Sequence, residues 1–277
     1  MFDICPFFRN FAPFLRDMKA KQVFDALEQY APLPLQDSYD NAGLQIGLTA
    51  EQEVAGALLC LDVTEAVIDE AERMGCNLIV AHHPLLFRGL KSITGRSYVE
   101  RCVVKAIQKG IGIYAAHTNL DNAEGGVNYR IAEKIGLVNL SFLEIKPGMT
   151  AGSGVIGELS QEMDEVDFLE HVKSLFGIRC MKHNQLRGRK IRRVALCGGA
   201  GGFLLSQAIA QGADVFLTGE MRYHDYFGHE GELLIAEMGH YESEQYTTDI
   251  FEEVLNRHLP ELRIVKTSLN TNPINYL

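Results

Sequence analysis

Short apolar runs separated by amphipathic stretches set the pattern of this chain. Ala55-Gly-Ala-Leu-Leu-Cys-Leu61, Asn77-Leu-Ile-Val-Ala81 and Ile111-Gly-Ile-Tyr-Ala-Ala116 are too short and too evenly apolar for surface helices. They predict strands buried on both faces. Between them, Glu65 to Arg73 and about 98–109 carry helical periodicity. Thr64 offers an N-cap to the first, and Gly75 and Gly110 stop the two helices. Lys19 to Tyr30 reads as an earlier amphipathic helix. Strand and helix alternating in this way predict an α/β fold with mainly parallel strands joined by helical crossovers.

The wiring then repeats. Laid over one another, Leu59-Cys60 falls on Leu196-Cys197, Gly75 on Gly212, and Asn77–Ala81 on Asp214–Thr218. His83 falls on Glu220. Each half reaches another strand ending in a histidine with a carboxylate four residues later, His117…Asp121 and His240…Glu244. A duplication accounts for this, and so do two independent βαβ units with common punctuation. The Gly/Pro/Ser-rich segment 146–154 predicts a connector. The expected division is an N-terminal extension (1–17), a first α/β lobe (18–145) and a second (146–242), with about 243–277 packing back on the first. A ligand site is expected in the cleft between lobes.

Candidate chemistry gathers at the predicted carboxyl ends of strands, the edge where open α/β sheets build sites. His82 and His83 are adjacent at a strand end, so their side chains diverge and can serve two ions. Asp121, His240 and Glu244 complete a set of three imidazoles and two carboxylates. Nitrogen and oxygen donors without a thiolate suit zinc, iron, manganese or nickel. Five ligands cannot saturate two ions, and open positions are the mark of a catalytic rather than a structural centre. Glu244 has two oxygens and is the natural bridge, on one helical face with His240. His117 and Glu220 are candidates for orienting ligands or moving protons.

At this point the segments Asp40-Asn-Ala-Gly-Leu-Gln-Ile-Gly47, Ala81-His-His-Pro-Leu-Leu-Phe87, His117-Thr-Asn-Leu-Asp121, Thr218-Gly-Glu220 and Gly239-His-Tyr-Glu-Ser-Glu244 resemble the GTP cyclohydrolase I type 2 homologues, also called NIF-three-like proteins. The motifs run in order from about residue 18 to the C-terminus. The resemblance implies two α/β lobes, a homohexameric ring and two divalent metal ions per chain held by His82, His83, Asp121, His240 and Glu244, with Glu244 touching both. The resemblance leaves the activity open; the expected function is a metal-dependent hydrolase of a small, nucleotide-like substrate, with Glu244 and His117 as its catalytic residues. The alternative is a non-catalytic metal-binding regulatory or scaffold ring.

Composition narrows the field. Of 277 residues, 36 are acidic and 26 basic, a net charge of −10 that argues against general nucleic-acid binding. Six scattered cysteines without a Cys-x-x-Cys pair read as reduced thiols of a cytoplasmic protein. No apolar run approaches a membrane span. The Phe-rich start lacks the basic and apolar regions of a signal peptide, and Met18 is an alternative start. Two further signals carry two readings each. Cys197-Gly-Gly-Ala-Gly-Gly-Phe203 is either a tight βα turn or a phosphate cradle. The run 179–193, with seven basic residues and no acid, is either a solvated loop or an anion grip.

Overall fold

The structure is a computed structural model, and it describes residues 18–47 and 49–277. The extension 1–17, with its five phenylalanines, lies outside the described residues. The first part of the chain contributes α1 (Ala20–Tyr30), β1 (Gly43–Ile46), β2 (Ala57–Cys60), α2 (Glu65–Arg73), β3 (Leu78–Ala81), α3 (Tyr98–Lys109), β4 (Gly112–Ala115), α4 (Thr118–Asp121) and α5 (Val127–Ile135). Next come β5 (Leu137–Ile145), β6 (Gly152–Asp164), α6 (Glu165–Phe176), β7 (Lys182–His183), β8 (Lys190–Cys197), α7 (Leu205–Ala210), β9 (Val215–Thr218) and β10 (Leu234–Glu237). The chain closes with α8 (His240–Glu244), α9 (Thr247–His258) and β11 (Ile264–Lys266).

Among the described residues these strands form two sheets, ordered β1-β4-β3-β2-β11 and β5-β6-β8-β9-β10-β7. In the first, β11, β2, β3 and β4 run parallel and β1 is antiparallel at the edge. In the second, β8, β9 and β10 are parallel, with antiparallel partners on both sides. The expected α/β fold with two sheets and mainly parallel strands is therefore what forms. The repeat seen in the sequence is a repeat of wiring: β2-β3-β4 with antiparallel β1 against β4 matches β8-β9-β10 with antiparallel β7 against β10. The segment 146–151 is the turn between β5 and β6, which pair with each other in the second sheet.

Burial explains the even apolar runs. All four residues of β2, β3, β4 and β9 are buried. Alternate residues face opposite layers. Leu58, Ile79 and Ile113 pack with Val67, Ile68 and Val103 of α2 and α3. Leu59, Leu78 and Val80 face the other way, into a core built from α1, α5, α6 and α9 that also holds Val194, Leu196 and Leu217 of the second sheet. The two sheets thus share one central apolar layer. Truncating a fully buried leucine there to alanine costs about 2–5 kcal/mol, so their relative position is firmly set.

Local signals close the elements as expected. Thr64 Oγ1 accepts from Val67 N–H, and Ser97 Oγ from Glu100 N–H. Gly110 ends α3 in the left-handed region that glycine enters most easily. The last long helix starts at Thr247, because His240–Glu244 forms a turn of its own at the sheet edge.

Candidate metal centre

Four histidines converge where the carboxyl ends of the two sheets meet, and each is oriented in the same way. His82 follows β3; its Nδ1 lies 2.9 Å from the Ala116 carbonyl oxygen. A carbonyl can only accept, so Nδ1 carries the proton. Burial holds the His82 pKa below its ordinary value, so the ring is neutral and Nε2 is a bare lone pair. That lone pair is buried and has no hydrogen-bond partner. Its nearest carboxylate oxygens are Asp121 Oδ1 at 3.6 Å and Glu244 Oε2 at 3.8 Å. Asp121 Oδ1 is likewise buried and unpartnered. Acceptors facing one another across such a gap are the arrangement a cation satisfies.

The other three rings repeat the device. His83 Nδ1 sits 2.7 Å from Asp62, His117 Nδ1 2.7 Å from Asp40, and His240 Nδ1 2.8 Å from Glu220. Each ring thereby keeps Nδ1 for its outer acceptor and leaves Nε2 for the centre. Metal-binding histidines are held this way by outer acceptors, which fix ring and tautomer. His83 Nε2 lies 3.0 Å and His240 Nε2 3.1 Å from Glu244 Oε2. Among the described residues three groups could hold a metal ion: His82, Asp121 and Glu244; His83, His240 and Glu244; and His82, His83 and His117.

The electrostatics follow from this crowding. Burial works to lower His83, but Asp62 and Glu244 outweigh it and raise the ring to about 10. His240 rises to about 9 against the same opposition, chiefly through Glu244. Burial would raise Glu244, yet hydrogen bonds from His240 and His83 hold it well below the carboxylate range. Asp121 goes the other way: burial, with the charge of Glu244 beside it, raises its carboxyl well above normal. Asp40 falls to about 2, because bonds to His117 and Thr118 overcome its burial.

The second sheet builds its side of the centre from glycine. Gly199 has φ +58°, and a Cβ there would stand 2.3 Å from Glu244 Oε1. The loop 198–201 therefore needs glycine to let Glu244 in. Its amides are already engaged: Gly198 donates to Asn128, Gly199 to Ser243 and Gly201 to Thr218. The tight-turn reading holds for this loop, and those three amides are not free to cradle phosphate. Asn128 also donates to the Asp121 carbonyl, so one buried amide side chain joins both halves of the site.

A cavity of about 1030 Å³ opens over the cluster, lined among others by His83, His117, His240, Tyr39, Phe87 and Phe203. The basic run lies largely neutralised beside it. Lys182 pairs with Glu237, Arg187 with buried Glu165, Lys190 with Asp164, and Arg192 and Arg193 with Glu158. This is a structural loop and strand, not an open cationic surface.

A model of the Duf34/NIF3 (NGG1p interacting factor 3) family matches residues 18–273. The chain belongs to this family. It is 35% identical over 231 residues to the GTP cyclohydrolase 1 type 2 homolog of Clostridium perfringens, covering 82% of this chain and 87% of that one. The Lactococcus lactis protein of the same description is 32% identical, with 92% and 98% covered. Among solved structures, the Staphylococcus aureus protein SA1388 superposes with a TM-score of 0.86 at 28% identity, covering 94% of this chain and all of that one. The motifs that led to the NIF3-like reading are the ones that meet at the centre. Two orienting groups escaped the sequence reading, Asp62 and the Ala116 carbonyl, and Asp40 stood there in a quoted motif without a role of its own. Asp62 directly follows a predicted strand and Ala116 ends one, but nothing local distinguishes either from its neighbours. The described cysteines are free thiols, four of them buried. No helix of the described residues is long and apolar enough to cross a membrane.

Proposed function

We propose that this chain holds two divalent cations and uses them to hydrolyse a small, nucleotide-like molecule. The observation that carries the reading is the pair of buried, partnerless acceptors, His82 Nε2 and Asp121 Oδ1, beside a carboxylate that belongs to two ligand groups. His82, Asp121 and Glu244 would hold one ion. His83, His240 and Glu244 would hold the other. The donor set suits zinc, iron, manganese or nickel. Cations bound there supply Lewis-acid activation of water and of a carbonyl or phosphoryl oxygen.

The remaining roles belong to the protein. Asp62 and Glu220 fix the rings of His83 and His240, and Asn128 holds the Asp121 turn against the glycine loop. His117, backed by Asp40, can accept a proton at Nε2; its place in a group with His82 and His83 also fits it as a fourth imidazole ligand. Tyr39 and Phe87 meet edge to face at 6.3 Å between ring centres, and Phe203 is more than half exposed in the same cavity. Such faces suit a planar ring. Lys182 is the one lysine or arginine among the described lining residues and is already paired with Glu237. A substrate phosphate would therefore fall to the cations. This reading keeps the expected cytoplasmic location and homohexameric ring, with the free thiols in support of the former.

The second reading is a metal-binding regulatory ring without turnover, favoured by the lack of any unpaired lysine or arginine among those lining residues. Chelator-stripped protein reloaded with each metal and offered guanosine, GTP, a phosphodiester and a cyclic amide separates the two. Metal-dependent product formation that Glu244→Gln abolishes supports the hydrolase. Silence across all metals and substrates supports the ring, and turnover unchanged in Glu244→Gln removes Glu244 from the scheme.

A further inference from the structure

The C-terminal segment passes over the candidate metal centre. β11 runs parallel to β2, so both strands leave the first sheet at the edge where the histidines gather. The exit is pinned. Thr267 N–H donates to the Leu59 carbonyl at 2.9 Å. Buried Glu70 then receives the Thr267 hydroxyl, the Ser268 N–H at 3.0 Å and the Ser268 hydroxyl. From that clasp the chain turns over the site. Thr271 Oγ1 donates to Asp62 Oδ2 at 2.7 Å, while the other oxygen of Asp62 receives His83 Nδ1 at 2.7 Å. One residue on, Asn272 Nδ2 donates to Glu242 Oε1 at 3.1 Å, and 273–276 line the cavity. Adjacent strands of one edge thus present Thr271, Asp62 and His83 in a row.

We propose that this segment is an active-site strap, with Thr271 a positioning residue that fixes Asp62 and, through it, the ring of His83. The inference rests on the dinuclear reading above. A carboxylate bonded at one oxygen can rotate about its Cβ–Cγ bond; bonded at both, it presents a fixed acceptor to the imidazole. Only one of the two ion groups contains His83 without His82. The strap therefore tunes one ion and leaves the His82, Asp121 and Glu244 group alone.

The test is a cobalt(II) titration of wild type, Thr271→Val and Thr271→Ser, followed by absorption spectroscopy, with melting curves of the apo proteins. Removing an outer-shell partner commonly weakens metal binding by about 10–100-fold. Thr271→Val should weaken one of two binding steps by about tenfold and alter the spectrum of that step alone, while Thr271→Ser restores both. Thr271→Ala replaces the valine variant if the latter melts early. Two wild-type-like steps in the valine and alanine variants would overturn the strap. Equal weakening of both steps would overturn it too. Wild type that takes up no cobalt would overturn the metal centre itself, a distinct outcome.

Discussion

The two sheet edges that meet at the centre have nearly the same wiring but opposite electrostatics. Each follows its third parallel strand with a histidine and a carboxylate four residues later on a short helical turn. In the first sheet the carboxylate is Asp121, whose Oδ1 faces a bare imidazole nitrogen and has no donor. In the second it is Glu244, crowded by His240, His82 and His83 and held ionised. The first edge supplies three imidazoles and an acceptor that lacks a positive partner; the second supplies the anion they surround. Neither edge alone is a complete site, and the shared apolar layer between the sheets fixes the geometry.

The contrast predicts opposite behaviour on neutralising the two carboxylates. In chelator-stripped protein at pH 7, Glu244→Gln removes a satisfied buried anion and should destabilise by up to about 3 kcal/mol, limited because His83 and His240 can shed protons. Asp121→Asn removes a carboxyl that is costly to ionise and should leave stability within about 1 kcal/mol of wild type, or raise it. Thermal unfolding checks both. Metal analysis should then show both ions weakened in the first variant and one in the second. Equal destabilisation would erase the asymmetry.

Gly199→Ala probes the second edge alone. The new Cβ meets Glu244, and alanine is strained in the left-handed region, so a loss of about 2–3 kcal/mol is expected together with reduced metal uptake. Gly212→Ala, at φ +68° with open space around it, serves as control and should cost about 1–2 kcal/mol with metal uptake intact.

Acid sensitivity compares carboxylates that anchor each sheet away from the centre. Burial would raise Glu165, but bonds from Arg187 and Gly188 lower it; burial would raise Glu70, but Ser268 and Thr267 lower it. A depressed folded pKa means that the unfolded chain binds the proton first. Their stabilisation is therefore complete above the ordinary value of 4.5 and lost as pH falls through the folded one. Melting temperature should drop as pH falls below 4.5, and Glu70→Gln and Glu165→Gln should each flatten that drop. The smallest effect belongs to the basic run: Lys190→Ala breaks an exposed, solvent-screened pair with Asp164 and should leave the melting temperature essentially unchanged.

These expectations also mark what the chain reveals on its face. The buried strands β2, β3, β4 and β9 were legible because apolar runs of that length bounded by glycine have few alternatives. His82, His83, Asp121, His240 and Glu244 were legible because each stands at a strand end or one helical turn beyond it. The β5–β6 hairpin was not: several of its residues are exposed, its register shifts, and its glycine-rich turn reads as a linker. Asp62 and Thr271 were also hidden. Their roles arise from contacts between segments far apart in sequence, and neither carries a local signature.

The central claim is that both sheets close on two cations. It is tested most directly by diffraction from crystals of the zinc-loaded protein at the zinc absorption edge. The account predicts two anomalous peaks about 3.5–4 Å apart, one beside His82 and Asp121, the other beside His83 and His240, with Glu244 reaching both. A single peak, no peak, or zinc bound away from Glu244 would contradict it.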